Sequence, residues 1–337
     1  MVIVLKPGLS AGDIEKICEE VRRLGYEPKL IQGVEQSIIA AIGDERKHHT
    51  LESLTVFPGV QEVMRVQKRY KLVSREAHPK DSLITVGKNV VGGKKFHIMA
   101  GPCSVESEEQ LIATAKHVKA CGATILRGGA YKPRTSPYEF QGMKEDGLKL
   151  LATARQETGL EIITEVLAEA DVTLVASYAD ILQIGTRNAQ NFALIRAAAQ
   201  TKKPILLKRG MSMRVEEWLL AAEYILNEGN PNVMLCERGI RTFETYTRNM
   251  LDLSAIAVVK KESHLPIIID PSQGCGRADM VVSMCKGAAA MGADGLIVEV
   301  HPNPAEAVSD GAQQITFDSF STLMNELKPF IQVAGKE

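Results

Sequence analysis

HIMAGP (97–102), ATILRGG (123–129), EIITEV (161–166), DILQIG (180–185), PILLKRG (204–210), NVMLCERG (232–239), PIIID (266–270) and GLIVEV (295–300) are the runs that decide the fold of this 337-residue chain. Each is short, rich in β-branched residues and nearly all apolar, as a parallel strand covered on both faces must be. The segments between them are long enough to hold a helix, which a parallel crossover requires. Eight such units within about 240 residues predict an α/β architecture closed into a (β/α)8 TIM barrel. An open doubly wound sheet would call for a GxGxxG turn after its first strand, and none occurs.

Upstream of the first run, Leu83 to Val86 and Val90 to Val91 flank Gly87-Lys88-Asn89 and read as a hairpin closing the bottom of the barrel. Before that, KRYKLVSREAHPKDS (68–82) is polar, basic and without sustained periodicity, so it reads as a linker. Residues 1–67 follow the order βαββαβ: Val2 to Leu5, a helix pattern from Ser10 to Leu24, strand-like runs Pro28 to Ile31 and Ser37 to Ile42, a second helix, and a closing strand near Val60 to Val66. That order matches the split βαβ unit of a small α+β ferredoxin-like domain. It carries no cluster of catalytic residue types, so a regulatory or oligomerisation role is expected. The domain plan is therefore 1–67, a linker over 68–82, and a catalytic barrel with its capping hairpin over 83–337.

Composition narrows the function classes. A formal net charge of −1 with 24% charged residues offers no global field for nucleic acid. No run approaches the roughly 18 apolar residues of a membrane span, and the start MVIVLKPG is no export leader, so the cytoplasm is the expected compartment. The six cysteines are scattered without CxxC spacing, which argues against a disulfide framework or a structural zinc site.

Barrel chemistry sits at the carboxyl ends of the strands. Here those positions supply Cys103; Arg127 with Lys132 and Arg134; Glu165; Gln183 with Arg187; Lys208 with Arg209; Glu237 with Arg238; Asp270 with Gln273; and Glu299 with His301 and Asp310. So many cations converging from different strands would repel one another unless anions enter, and phosphates and a carboxylate are the simplest anions. Cys103, Glu299 and Asp310 form a second subset with the donor types of a divalent metal acting as a Lewis acid.

With these motifs in view, the chain resembles one family over essentially its whole length: 3-deoxy-D-arabino-heptulosonate 7-phosphate (DAHP) synthase of type I beta, whose barrel follows a ferredoxin-like (ACT-like) domain. The matching stretches are AGPCSVES (100–107), LRGGAYKPRTSPYEFQG (126–142), QIGTRNAQNF (183–192), LLKRGM (206–211), CERGIRTFE (236–244), KESHLPIIIDPS (261–272) and VEVHPNPAEAVSDG (298–311). The resemblance implies an aldol-like condensation of phosphoenolpyruvate with erythrose 4-phosphate, the first step of the shikimate pathway toward aromatic amino acids. It implies that Lys132, Asp270 and Glu237 serve the chemistry, with Asp270 near the aldehyde's hydroxyls. Arg127, Arg187, Lys208 and Arg238 would hold the carboxylate and phosphate of phosphoenolpyruvate. Arg134, Thr135 and Ser136 would take the aldehyde's phosphate. It further implies a homo-oligomer, dimer or tetramer, and an effector at the first domain. A related synthase using another phosphosugar, and a metabolite-binding paralogue, are the competing readings.

The family's metal site resembles Cys, His, Glu and Asp. Cys103, Glu299 and Asp310 match, but Gln273 stands where the histidine belongs. An amide oxygen is a harder and weaker donor than imidazole and suits Mn²⁺ or a similar ion. Three readings stay open on the sequence: an altered metal site, a metal-independent enzyme, and a paralogue with lost activity.

Overall fold

The computed structural model describes residues 1–32, 37–43, 51–64 and 69–337, the side chain of Glu52 excepted. They divide into two units, Met1–Arg69 and Tyr70–Glu337.

The first unit contains β1 (Val2–Leu5), α1 (Ala11–Arg23), β2 (Glu27–Gln32), β3 (Ser37–Ile42) and β4 (Val60–Met64), in an antiparallel sheet of order β2-β3-β1-β4. Helix α1 begins where the Ser10 hydroxyl accepts the Asp13 amide at 3.2 Å. Asp13 in the first turn and Arg22 and Arg23 in the last complement its dipole. Ile17 and Val21 press against Ile3, Leu5 and Ile39 of the sheet to form a small core. Of the expected second helix, the described part is a 3-10 helix over Leu51–Val56. The remainder of the expectation for the second helix, before Leu51, and for the closing strand, past Met64, falls outside the described residues.

The second unit opens with a hairpin, β5 (Ile84–Val86) and β6 (Asn89–Val91), and continues into eight strands. These are β7 (His97–Gly101), β8 (Ile125–Arg127), β9 (Glu161–Val166), β10 (Ile181–Ile184), β11 (Ile205–Lys208), β12 (Val233–Glu237), β13 (Ile267–Ile269) and β14 (Gly295–Glu299). All pair in parallel and β14 returns to β7, so the barrel is closed, as the eight apolar runs predict. Outside it, helices bury Leu148, Leu194, Trp218 and Phe320 against the strands. Gly101 permits a close approach: a Cβ there would collide with the Arg127 carbonyl of the next strand.

Side chains alternate along a strand, so every second residue faces the barrel axis. Met99, Ile125, Ile163, Ile181, Leu206, Met234, Cys236, Ile268 and Ile297 form that inner layer. Two residues beyond the last inner residue of each strand come Gly101, Arg127, Glu165, Gln183, Lys208, Arg238, Asp270 and Glu299. One periodicity thus builds an apolar plug below and, at seven of eight strands, a polar ring above. Ile84, Val86 and Val91 of the hairpin join the same inner cluster and seal its lower end. Each such side chain contributes roughly 1.5–3 kcal/mol on burial.

Residues 70–82, expected as a linker, belong instead to this second unit. Tyr70 and Val73 are buried in the barrel's outer core. The Glu223 carboxylate accepts the backbone amides of Lys71, Leu72 and Val73 at 2.8–3.0 Å. The Tyr70 hydroxyl donates to Glu262 at 2.9 Å, and Ser82 meets His264 Nδ1 at 2.7 Å. The segment is polar because it serves as a hydrogen-bonded strap.

Candidate active site

A cleft of about 180 Å³ opens at the carboxyl end of the barrel. Arg127, Lys132, Arg134, Arg187, Lys208, Arg238 and Arg248 line it, seven cations against the three carboxylates of Glu139, Glu165 and Asp310. Two further carboxylates lie just beneath. Arg127 pairs with Glu299 through a very short contact, and Lys208 Nζ lies 2.5 Å from Asp270 Oδ2. Arg134 pairs with Glu139 at 3.1 Å and Arg248 with Asp310 at 3.2 Å.

That leaves Lys132, Arg187 and Arg238 with neutral partners. Lys132 Nζ donates to Cys103 Sγ at 3.0 Å and to the Cys103 carbonyl at 3.3 Å. Arg238 Nη2 donates to Gln273 Oε1 at 3.3 Å, and Arg187 Nη2 reaches Thr135 Oγ1 at 3.5 Å. Lys132 and Arg238 are buried, yet among the described residues neither has a carboxylate within ion-pair reach. Burial accordingly pushes Arg238 below its ordinary value against the opposing pull of Asp270. Arg127 Nε is buried with no hydrogen-bond partner. Such groups are costly unless an anion joins them.

Three features hold the ring in place. Asp270 caps the short helix Pro271–Cys275 by accepting the Gln273 amide through Oδ1 at 2.9 Å, while its Oδ2 faces Lys208. Glu299 accepts from Gln273 Nε2 at 3.0 Å and Gln313 Nε2 at 2.6 Å. Burial would raise its carboxyl, but Arg127 and Lys132 outweigh that and bring it down to about 2. Asp310 has a left-handed backbone (φ 47°), which aspartate tolerates, and it stands between Arg248 and Cys103.

The residues expected to hold a metal do not fit one as they are placed. Among the described residues, no three His, Cys, Asp or Glu side chains are gathered around a common point suited to an ion. Cys103 faces the Lys132 ammonium, and burial, helped by Glu299, pushes its thiol up to about 12, so it keeps its proton at neutral pH. Both Glu299 oxygens already accept hydrogen bonds. Gln273 turns its oxygen to Arg238.

Of the other expected residues, Arg127, Lys132, Arg134, Thr135, Arg187, Lys208 and Arg238 share the cleft. Glu237 and Ser136 do not line it. Glu237 faces outward, where it accepts from Arg209 Nη1 at 3.0 Å and from the amides of Gly239 and Asp252. Ser136 Oγ accepts the Tyr138 amide within its own loop. Strand-end reasoning overlooks Arg248, Ser309 and Gln313. Ser309 accepts Arg134 Nη1 at 2.7 Å, and Gln313 links Arg248 to Glu299.

Fold and cleft together define a parallel-barrel enzyme class whose site is built for small, multiply charged anions. Residues 76–333 match the DAHP synthetase I family, and residues 1–68 match the DAHP synthase ferredoxin-like domain. A phospho-2-dehydro-3-deoxyheptonate aldolase of Thermotoga maritima is 49% identical over 335 residues, covering 99% of each chain. The crystal structure of a DAHP synthase from the same organism superposes with a TM-score of 0.94 at 48% identity, covering 100% of this chain and 98% of that one. A 2-dehydro-3-deoxyphosphooctonate aldolase of Polaromonas is 32% identical over 267 residues, covering 72% of this chain and 92% of its own. The chain belongs to the DAHP synthase family, a family of transferases. No described helix is long and apolar enough to cross a membrane.

Proposed function

We propose that this cleft condenses phosphoenolpyruvate with erythrose 4-phosphate and water to give DAHP and inorganic phosphate. The observation that carries the reading is the pair of buried cations without a carboxylate partner, Lys132 and Arg238, beside the unpartnered Nε of Arg127. Arg127, Arg187, Lys208 and Arg238 take the carboxylate and phosphate of phosphoenolpyruvate. Arg134 and Thr135 take the aldehyde's phosphate at the outer part of the cleft, with Ser309 fixing Arg134. Asp270, held by Lys208, serves the aldehyde's hydroxyls.

Lys132 is the proton carrier. Its buried Nζ donates to Cys103 Sγ and to the Cys103 carbonyl, which holds a transferable proton in the cleft. The π pair at C3 of phosphoenolpyruvate forms the new bond to the aldehyde carbon. The carbonyl pair moves to oxygen, which takes a proton from Lys132 Nζ. Water adds to the cationic C2 and returns a proton to Lys132; the C2–O bond to phosphate then breaks, its electron pair leaving with the phosphate, which takes the proton of the C2 hydroxyl and leaves a ketone. The cationic ring holds both substrates in register and steadies the charge that moves between them.

Phosphate release coupled to phosphoenolpyruvate consumption tests the reading, with erythrose 4-phosphate and the longer arabinose 5-phosphate as rival aldehydes. Turnover with the four-carbon sugar is expected. A preference for the five-carbon sugar would place the chain with the octulosonate aldolases, and consumption of neither would leave a metabolite-binding paralogue.

A further inference from the structure

We infer that Gln273 turns the centre of this site into a hydrogen-bonded junction that takes no resident divalent metal. The part of the inference that concerns turnover rests on the condensation proposed above. The part that concerns metal binding stands apart from it.

Gln273 has two neighbours of opposite kind, and they settle which way its amide points. A guanidinium only donates and a carboxylate only accepts, so the oxygen must face Arg238 and the nitrogen Glu299, as found. Its only metal-binding atom therefore already faces a buried cation. Turning the amide over to free that oxygen would set an NH₂ against the guanidinium and a carbonyl against the carboxylate. Two hydrogen bonds to charged groups would give way to two repulsions. An imidazole in this place could present a lone pair without that conflict.

The remaining donors are engaged in the same way. Lys132 and Arg127 bring their own positive charge to Cys103 and Glu299, where an ion would otherwise sit. Gln313 takes the second oxygen of Glu299. A divalent ion would have to displace an ammonium and a guanidinium from buried positions in a cleft already rich in cations. The charge that steadies the reacting oxygens is thus covalently part of the chain.

The full-length protein and Gln273→His, each stripped with a chelator, are titrated with Co²⁺ and with Mn²⁺. Thiolate-to-cobalt absorption and retained manganese are the readouts, and neither requires activity. The native protein should develop no thiolate–cobalt band, retain no manganese and keep its turnover after chelation. The histidine variant should gain the band and lose its turnover when chelated. A stoichiometric band or retained manganese in the native protein, or loss of its turnover on chelation, overturns the inference. Absence of the band in the histidine variant overturns the assignment to Gln273. If neither protein consumes phosphoenolpyruvate under any condition, the condensation reading fails, and the cobalt titration still decides the metal question.

Discussion

The two ends of the barrel differ in how completely their buried polar groups are partnered. At the lower end, Glu161 accepts Asn89 Nδ2 at 2.6 Å and the Lys88 amide at 3.0 Å, and His97 meets the Val90 carbonyl at 2.8 Å. These bonds come from neutral amides, a neutral ring and the backbone, over an apolar plug made by the hairpin. Burial keeps His97 neutral, since it lowers that imidazole below its ordinary value. At the upper end, buried cations outnumber the carboxylates that face them. One end is complete without a ligand and the other is not. Stability and function have been sorted to opposite ends of one cylinder, as the barrel's geometry favours.

The largest expected effect separates the two ends by rate. Lys132→Met removes the ammonium and keeps the volume, so turnover should fall by about 10²- to 10⁴-fold while the melting temperature holds or rises. Steady-state phosphate release and calorimetry on the same preparation read both quantities; unchanged turnover would remove Lys132 from the chemistry. Acid should then act on the upper end. Glu299 titrates near 4.5 when unfolded and near about 2 when folded, so the unfolded chain binds the extra proton between those values. Its contribution is present above about pH 4.5 and is lost as pH falls toward 2, on the order of 3 kcal/mol. Urea unfolding across that window should show a steeper pH slope for the native protein than for Glu299→Gln, and equal slopes would contradict the pairing. The smallest effect belongs to the plug. Ile84→Val should cost about 0.5–1.5 kcal/mol in urea and leave the rate unchanged; a rate change there would mean the ends are coupled.

Much of this was legible in the chain because parallel strands covered on both faces cannot hide. All eight runs appear as strands, and most of their terminal polar residues meet in the cleft. Glu237 shows the limit of reasoning by strand end alone. Cys236 faces the axis, so its neighbour Glu237 must face outward, where it meets Arg209, itself next to the inward Lys208. Counting in twos from the apolar core would have separated the two kinds of residue. Arg248 was harder to see, since it sits in a long loop and its guanidinium is held by Asp310 and Gln313, more than sixty residues away. The strap was harder still. Its partners Glu223, Glu262 and His264 lie 150 to 192 residues along the chain, and no local pattern announces them.

The cradle that Glu223 makes for residues 71–73 has a consequence for how this protein can change over time. It grips three amides and no side chain. Leu72 is exposed, so substitution there would leave the grip intact provided the backbone N–H remains. Proline is the exception, because it alone lacks that donor. The entrance to the barrel unit is thus fastened in part by backbone groups that nearly every amino acid shares, so Leu72 can change while Glu223 cannot.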